Sequence, residues 1–352
     1  MDPIRVGIIG GGRIADLEVL GYLRSGEARI RTVCDLRREV AERRMQEWGA
    51  ARATTDPAEI FGDPDIDLVE IITPTGSHRA LVLAAAAAGK HVSVQKPMGL
   101  CVRECEEMIA ATRAAGVKFR VYENFVFYPP YVRARELIQD GAIGEPLSIR
   151  LRICGAGWGS WEVPIRAWLW RFRRDESGGG PTIWDDGFHK FSVALHLFGP
   201  VEQVHAWIGS TFGLIDAPAL VTWTHGAPGR TGCIDAAFSP HMAVKTRYYA
   251  VDERVDILGT AGSLQVTRCT GRLLDEPPLL LHRDGRTTAF EDLRADWADS
   301  FVDCTLDLVR CIREGREPLL TGERGLEVTR FALAALRSAE TGLPVRPADV
   351  VE

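Results

Sequence analysis

The sequence predicts an α/β protein with two parts: an N-terminal doubly wound parallel sheet and a C-terminal α+β domain with a large, mainly antiparallel open sheet. Two observations carry this prediction. Short apolar runs alternate with helical periodicity over the first 120 residues, which is typical of a parallel sheet covered on both faces. After Tyr122 and one helix that ends at Gly141, strand-like stretches follow one another, most of them without intervening helices. The predicted domains are therefore residues 1–122 and 123–352.

The elements of the first domain follow from these runs in order. The strands are expected at 4–9, 30–34, 68–72, 91–94 and 119–121, with helices at 12–24, 39–48, 77–88 and 102–115 between them. In the second domain the strands are expected at 146–154, 201–208, 219–225, 232–238, 247–258, 263–267 and 279–282. Two long helices, at 297–314 and 322–341, are expected to close the chain.

The composition is that of a globular protein and excludes several classes of function. The chain of 352 residues is 46% hydrophobic and carries a net charge of −6, which argues against non-specific binding to nucleic acid. No apolar run reaches the ~18 residues of a membrane span, and the N-terminus enters a strand without a signal peptide. The eight scattered cysteines lack zinc spacing, so we expect no metal site and a reducing cytoplasm.

A glycine-rich turn joins the first strand to the first helix. Gly10, Gly12 and Ala15 follow the pattern G-x-G-x-x-A, which lets the backbone approach a pyrophosphate at a helix start. Asp35 ends the second strand, where a carboxylate accepts the ribose hydroxyls of NAD and repels the 2′-phosphate of NADP. Arg37 and Arg38 follow, and an arginine there can accept that phosphate. The pattern favours NAD and leaves NADP as the less favoured alternative.

Residues at the ends of two later strands predict the other side of a cofactor crevice. Thr73, Pro74 and Thr75 form a loop at the carboxyl end of the third strand, and His78 in the next helix either reaches the cofactor or lies at the surface. Lys96 ends the fourth strand against Pro97, which favours an extended backbone for the lysine. We expect the ammonium group to enter the crevice.

The stretch Ser177–Gly199 contains the clearest candidates for acid–base chemistry. Asp185 and His189 are four residues apart, which would place a carboxylate beside an imidazole on one helical face. This pair is a candidate general base, although a helix-capping aspartate and a core histidine would give the same spacing. Upstream, a cluster of aromatic residues with two arginines suits either sugar stacking or a subunit contact. The cluster comprises Trp158, Trp161, Arg166, Trp168, Trp170 and Arg171.

Together these motifs resemble the glucose–fructose oxidoreductase, inositol dehydrogenase and rhizopine-catabolism family, Gfo/Idh/MocA, over essentially the whole chain. The resemblance rests on the run Gly10-Gly11-Gly12-Arg13-Ile14-Ala15, on Thr73-Pro74 with His78, and on "AGKHVSVQKP". It also rests on "GGG…DDGFH", on "IGEP" and on the closing "SAETGLPV".

The resemblance implies a catalytic set of Lys96, Asp185 and His189, with Asp185 orienting His189. It also implies that the substrate is bound by these three residues with Asn124, Trp170 and Arg171. The implied cofactor residues comprise Gly10, Gly12, Arg13, Ile14, Asp35, Arg37, Thr73, Pro74, Thr75, His78, Gln95 and Lys96. Three positions depart from the family pattern: Gln95 replaces a glutamate, Ser192 an aspartate and Val126 an arginine.

The expected activity is hydride transfer between NAD(P) and a secondary hydroxyl of a sugar, glycoside or cyclitol, in a cytoplasmic homodimer or homotetramer formed through the C-terminal sheet. Two alternatives stay open. One is a glycosidase that oxidises and reduces its substrate transiently with bound NAD. The other is a non-catalytic, NAD-binding regulatory protein.

Overall fold

The computed structural model describes residues 2–159, 161, 163 and 168–352. The first domain contains a six-stranded sheet in which every strand pair is parallel, in the order β3-β2-β1-β4-β5-β6. Its elements, in chain order, are β1 Ile4–Ile9, α1 Ala15–Glu18, α2 Leu20–Ser25, β2 Ala28–Cys34, α3 Arg38–Trp48, β3 Arg52–Thr54, α4 Ala58–Phe61, β4 Leu68–Ile71, α5 His78–Ala87, β5 His91–Gln95, α6 Val102–Ala114 and β6 Phe119–Tyr122.

The remainder of the chain forms an eight-stranded sheet in the order β14-β13-β12-β11-β7-β10-β9-β8. All its strand pairs are antiparallel except β7 with β10. Its elements are α7 Pro129–Gln139, β7 Pro146–Trp158, α8 Arg174–Ser177, α9 Gly187–Phe198, β8 Val201–Ile208, β9 Ala219–His225, β10 Thr231–Ala243, β11 Val251–Gly259, β12 Ser263–Val266, β13 Leu279–Arg283, β14 Arg286–Ala289, α10 Trp297–Glu314 and α11 Gly322–Thr341. These two sheets confirm the predicted fold class.

The last two helices return to the first domain. The Tyr122 hydroxyl at the end of β6 donates to the Phe301 carbonyl of α10 at 2.9 Å, and the Val121 N–H donates to the Leu320 carbonyl at 3.1 Å. Because α10 and α11 pack against the first domain, apolar side chains of both sheets belong to one core.

The structure also contains elements that the sequence did not predict. β3, α4 and β14 are only three or four residues long, too short to produce a clear periodic pattern. The predicted first helix is divided into α1 and α2 at Val19, and the glycine-rich residues before Ala15 form turns. Among the described residues, every helix is too short or too polar to traverse a lipid bilayer.

Candidate active site

The candidate site lies where the carboxyl ends of β1, β4, β5 and β6 meet below the second domain. Three of these strands are followed at once by a candidate residue: Gly10 after β1, Lys96 after β5 and Glu123 after β6. In an open parallel sheet this edge is where ligands bind, because the backbone leaves the sheet there and opens a crevice.

The glycine-rich turn has the shape of a pyrophosphate cradle. Gly10 has a φ of 104°, and a side chain there would lie 2.2 Å from the Ile72 carbonyl oxygen. Open space surrounds the position that a Gly12 side chain would occupy. The N–H groups of Gly12, Arg13 and Ile14 have no acceptor within the described part of the chain. Unpaired N–H groups beside open space fit a dinucleotide's phosphates.

Asp35 is fixed at the edge of this turn. Its carboxylate accepts the Gly11 N–H at 2.9 Å and the Arg37 N–H at 3.0 Å, and its side chain remains 15% exposed. The Arg37 guanidinium lies 3.9 Å from the same carboxylate and is mostly exposed. Asp35 therefore presents a negative charge at the position that the ribose of a bound dinucleotide would approach.

The loop after β4 differs in part from the sequence prediction. Thr75 is buried, and its hydroxyl has no partner among the residues described. His78 is fully buried: Nε2 lies 2.8 Å from the Thr73 carbonyl, and Nδ1 lies 3.1 Å from the Pro97 carbonyl. Both ring nitrogens of His78 are thus engaged within the protein, and its cofactor contact stays a prediction. Its imidazole ties the Thr73–Pro74 loop to the turn after Lys96.

Gln95 also faces the protein interior and not the crevice. Its side-chain amide donates to the fully buried carboxyl group of Glu18, and its carbonyl oxygen accepts the Lys96 N–H at 2.6 Å. Burial, with the nearby Glu70 carboxylate, raises the pKa of Glu18. Gln95 therefore links the backbone of Lys96 to Glu18, and its cofactor contact stays a prediction.

Lys96 forms a charged chain with Asp185 and Arg171. Its Nζ donates to the Asp185 carboxylate at 2.7 Å and to the Asp185 carbonyl at 2.8 Å. The Arg171 Nε donates to the other carboxylate oxygen at 2.8 Å. Burial alone would raise the pKa of Asp185, but the two cations lower it to about 2. A permanently ionised Asp185 therefore holds both cations at the site.

His189 is oriented by Glu123, and not by Asp185 as the sequence suggested. The His189 Nδ1 lies 2.7 Å and 2.8 Å from the two Glu123 carboxyl oxygens. Asp185 belongs to a π-helical turn, Pro181–Asp186. Its backbone N–H donates to the carbonyl of Gly180, five residues earlier in the chain. The wider turn breaks the four-residue register, so the two side chains do not face each other.

Burial controls the protonation of this dyad. It raises the pKa of Glu123 to about 8, although the Phe125 N–H and the charges of Lys96 and Lys190 oppose the shift. Burial, followed by the same two ammonium groups, lowers the pKa of His189. When Glu123 is ionised, the Nδ1–H donates to it and Nε2 keeps its lone pair. His189 can therefore act as a base only when Glu123 is ionised.

Aromatic rings border the dyad and the charged chain. The Phe125 ring stacks on His189 with centroids 4.0 Å apart. Arg171 lies over Trp168 and Trp170 at 4.6 Å and 4.5 Å, so the structure brings the predicted Trp170–Arg171 pair to Asp185. Across the crevice, Arg13 of the glycine-rich turn lies 4.6 Å from the Trp161 ring. Arg166 and the side chain of Trp158 lie outside the described residues.

Asn124, expected to bind substrate, does not line the crevice. It is 2% exposed, and its amide donates to the Ser300 hydroxyl of α10 at 2.7 Å. The neighbouring Glu123, which the sequence analysis missed, occupies the functional position. It directly follows β6 as Lys96 directly follows β5, so the rule that ligands bind at carboxyl strand ends could have found it.

The arrangement therefore contains a neutral imidazole with a carboxyl partner and an ammonium group held by an ionised aspartate. Together with the phosphate cradle, these groups can bind a dinucleotide, accept a proton and stabilise an alkoxide. In the described part of the chain, no cluster of three or more histidine, cysteine, aspartate or glutamate side chains is arranged to hold a metal ion.

Comparison with known proteins identifies the family of this chain. The family described as "Oxidoreductase family, NAD-binding Rossmann fold" matches residues 4–123, and the "GFO/IDH/MocA C-terminal domain" matches residues 131–265. Myo-inositol 2-dehydrogenase of Thermotoga maritima is 26% identical and covers 99% of this chain and 100% of its own. D-apiose dehydrogenase of Paraburkholderia graminis is 29% identical over 90% of this chain and 83% of its own.

A solved structure shares the fold over the whole chain. Levoglucosan dehydrogenase in complex with NADH and levoglucosan superimposes with a TM-score of 0.84 at 23% identity, over 98% of this chain and 99% of its own. Both domain descriptions and these full-length relatives lead to one conclusion. This chain belongs to the Gfo/Idh/MocA family and is an NAD(P)-dependent oxidoreductase.

Proposed function

We propose that the protein interconverts a secondary hydroxyl and a ketone on a sugar, glycoside or cyclitol, with NAD as the hydride carrier. The observation that carries the proposal is the Glu123–His189 dyad, which lies within electrostatic range of Lys96 at the carboxyl edge of the sheet. The names of the relatives, an inositol dehydrogenase and an apiose dehydrogenase, support the substrate class.

The roles follow from the contacts. His189 Nε2 takes the hydroxyl proton while its Nδ1–H remains on Glu123, which stabilises the imidazolium that forms. Lys96 uses the Nζ hydrogen that Asp185 leaves free to stabilise the developing alkoxide. The guanidinium of Arg171, whose Nε is occupied by Asp185, offers its terminal nitrogens to substrate hydroxyls. Bound NAD supplies the hydride acceptor.

Substitutions on helix α9 provide a matched test of this assignment. We expect His189→Gln to lose ~10²–10⁴ in turnover with a sugar or inositol that the wild type oxidises, while NAD binding persists. His196→Gln lies seven residues along the same helix and should retain wild-type turnover. Equal turnover in both variants would show that His189 is not the base.

A screen of sugars, glycosides and inositols at saturating NAD identifies the substrate class. Stoichiometric formation of NADH with product supports the dehydrogenase. Hydrolysis of a glycoside without accumulation of NADH would instead support the glycosidase alternative. The Asp35 carboxylate supports NAD over NADP, because a 2′-phosphate would meet its negative charge.

Assembly through the C-terminal sheet belongs to the same proposal. Trp207 and Leu220 are paired across β8 and β9 and are 61% and 47% exposed. Such exposed apolar groups on an open sheet face suit a homodimer or homotetramer contact. Trp207→Glu should lower the molar mass measured by light scattering, and an unchanged mass would exclude this face. All eight cysteines are free thiols, which supports a cytoplasmic location.

A further inference from the structure

A basic cavity lies beside the catalytic crevice, at the end of the eight-stranded sheet. It has a volume of about 550 Å³, within the range of small-molecule sites. Four cationic side chains line it, together with Asp296 and Trp297 at the start of α10. We refer to it as the basic cavity; its cations are Lys245, Arg247, Arg268 and Arg272.

The carboxylates around the basic cavity do not balance these cations. Lys245 and Arg272 share the single carboxylate of Asp275, and Arg247 pairs with Asp296. Asp296 also accepts the Ala298 N–H at 3.0 Å, so its charge is fully engaged. Counted over the residues that the structure describes, four cations against two carboxylates leave a net of two positive charges, in a chain whose overall charge is −6.

Arg268 is the cation without a partner. Among the residues described, no carboxylate pairs with it, and its buried Nε has no acceptor. Burial, with the charge of Arg272 nearby, lowers the pKa of Arg268, and the more distant charge of Asp275 only partly opposes this shift. The Arg268 side chain as a whole is only half-buried, and its terminal nitrogens form no hydrogen bond or ion pair within the described residues, so they are the donors open to a ligand oxygen.

Trp297 connects the wall of the basic cavity with the dyad. Its side chain is 4% exposed, and its indole N–H has no acceptor within the described ranges. Buried tryptophan N–H groups ordinarily find a partner. The residue lines the basic cavity and also contacts Phe125, the ring that stacks on His189, at a centroid distance of 6.3 Å.

We propose that the basic cavity binds an oxyanion, either phosphate or the phosphate group of a small metabolite. The fork of Arg268 and the excess positive charge suit a tetrahedral phosphate, which offers several acceptor oxygens to diverging donors. This site is separate from the glycine-rich turn, which is built from backbone N–H groups of the first domain. It does not depend on the identity of the substrate.

The test measures binding by calorimetry and by tryptophan fluorescence on the NAD-saturated protein, so that the glycine-rich turn is already filled. Inorganic phosphate and glucose 6-phosphate are titrated separately, with glucose as the uncharged comparison. Arg268→Ala removes the unpaired guanidinium. Arg286→Ala removes an exposed arginine on β14, outside the basic cavity, as the matched control.

We expect saturable binding of phosphate that weakens about tenfold or more in Arg268→Ala and is unchanged in Arg286→Ala. Equal affinity for phosphate and glucose 6-phosphate would support a site for the anion alone, and tighter binding of the sugar phosphate a site for a phosphorylated metabolite. Equal affinity in both arginine variants, or no saturable binding in the wild type, would overturn the proposal. Thermal unfolding with and without phosphate provides a second readout, since Arg268→Ala should abolish the stabilisation by phosphate.

Discussion

Replacement of Glu123 by glutamine tests the reassignment of the dyad. In the wild type, the pKa of Glu123 is raised to about 8, and the pair holds an additional proton below that pH. If the proton resides on Glu123, the carboxylic acid donates to Nδ1 and the ring hydrogen of His189 is on Nε2. If it resides on His189, the ring is an imidazolium. In both states Nε2 carries a hydrogen and cannot act as a base. Oxidation should therefore fall about tenfold per pH unit below pH 8, while reduction should be favoured there.

In the Glu123→Gln variant the acidic limb of the pH–rate profile, which is the decrease of the oxidation rate below pH 8, should disappear, because an amide does not titrate. The remaining ionisation belongs to His189, whose pKa burial lowers, so the limb should move below neutral pH. Exchange of a charged for a neutral hydrogen bond at 2.7 Å costs about 1.4 kcal/mol, or about tenfold in rate. Loss of the full charge some 4 Å from the imidazolium costs up to about 4 kcal/mol, or ~10³-fold.

The assay is the pH dependence of kcat/KM for NAD reduction between pH 5 and 10, recorded for both proteins with the best substrate of the screen. At pH 9 we expect the variant to be ~10–10³-fold slower than the wild type. Asp185→Asn is the comparison: it should lose rate but keep a limb near pH 8, because the pKa of Asp185 is about 2. An unchanged limb in Glu123→Gln, or its loss only in Asp185→Asn, would refute the reasoning.

Three further predictions concern neighbouring groups. Lys96→Ala should lower kcat by ~10²–10³ with little change in the Kd for NAD, because it removes the alkoxide-stabilising ammonium; near-normal turnover would make the lysine structural. Asp35→Ser should raise the KM for NAD and lower that for NADP, and equal wild-type efficiency with both cofactors would contradict the role of Asp35. Gln95→Glu should lower the free energy of unfolding by about 1–3 kcal/mol in urea titrations, because it places a second carboxyl group on buried Glu18. Exposed Gln46→Glu, as the control, should change this free energy by less than about 0.5 kcal/mol.

Motifs with a local physical cause were predictable from the sequence. The turn at Gly10–Gly12 and the carboxylate of Asp35 depend on backbone conformation and on strand ends, which short stretches encode. The exposed end of β5 likewise located Lys96, because a proline stops the strand at that residue. The same reasoning, applied to β6, would have located Glu123.

Partners of buried polar groups were not predictable in the same way. The sequence analysis paired Asp185 with His189 by helical spacing, and a π-helical turn removed that register. Gln95 and Asn124 each hydrogen-bond a buried side chain from a distant part of the chain, and His78 bridges the carbonyl groups of Thr73 and Pro97. Their partners are set by how the two domains and α10 pack, and no local pattern reports that packing.

The sequence by itself therefore determined the two-domain fold, the dinucleotide cradle and the strand-end lysine, because strand period, glycine conformation and proline geometry act within a few residues. Tertiary structure alone decided which carboxylate serves His189 and which cation remains unpaired in the basic cavity. The physical reason is that a buried charge selects its partner through desolvation and distance in three dimensions, and those quantities exist only once distant segments are packed together.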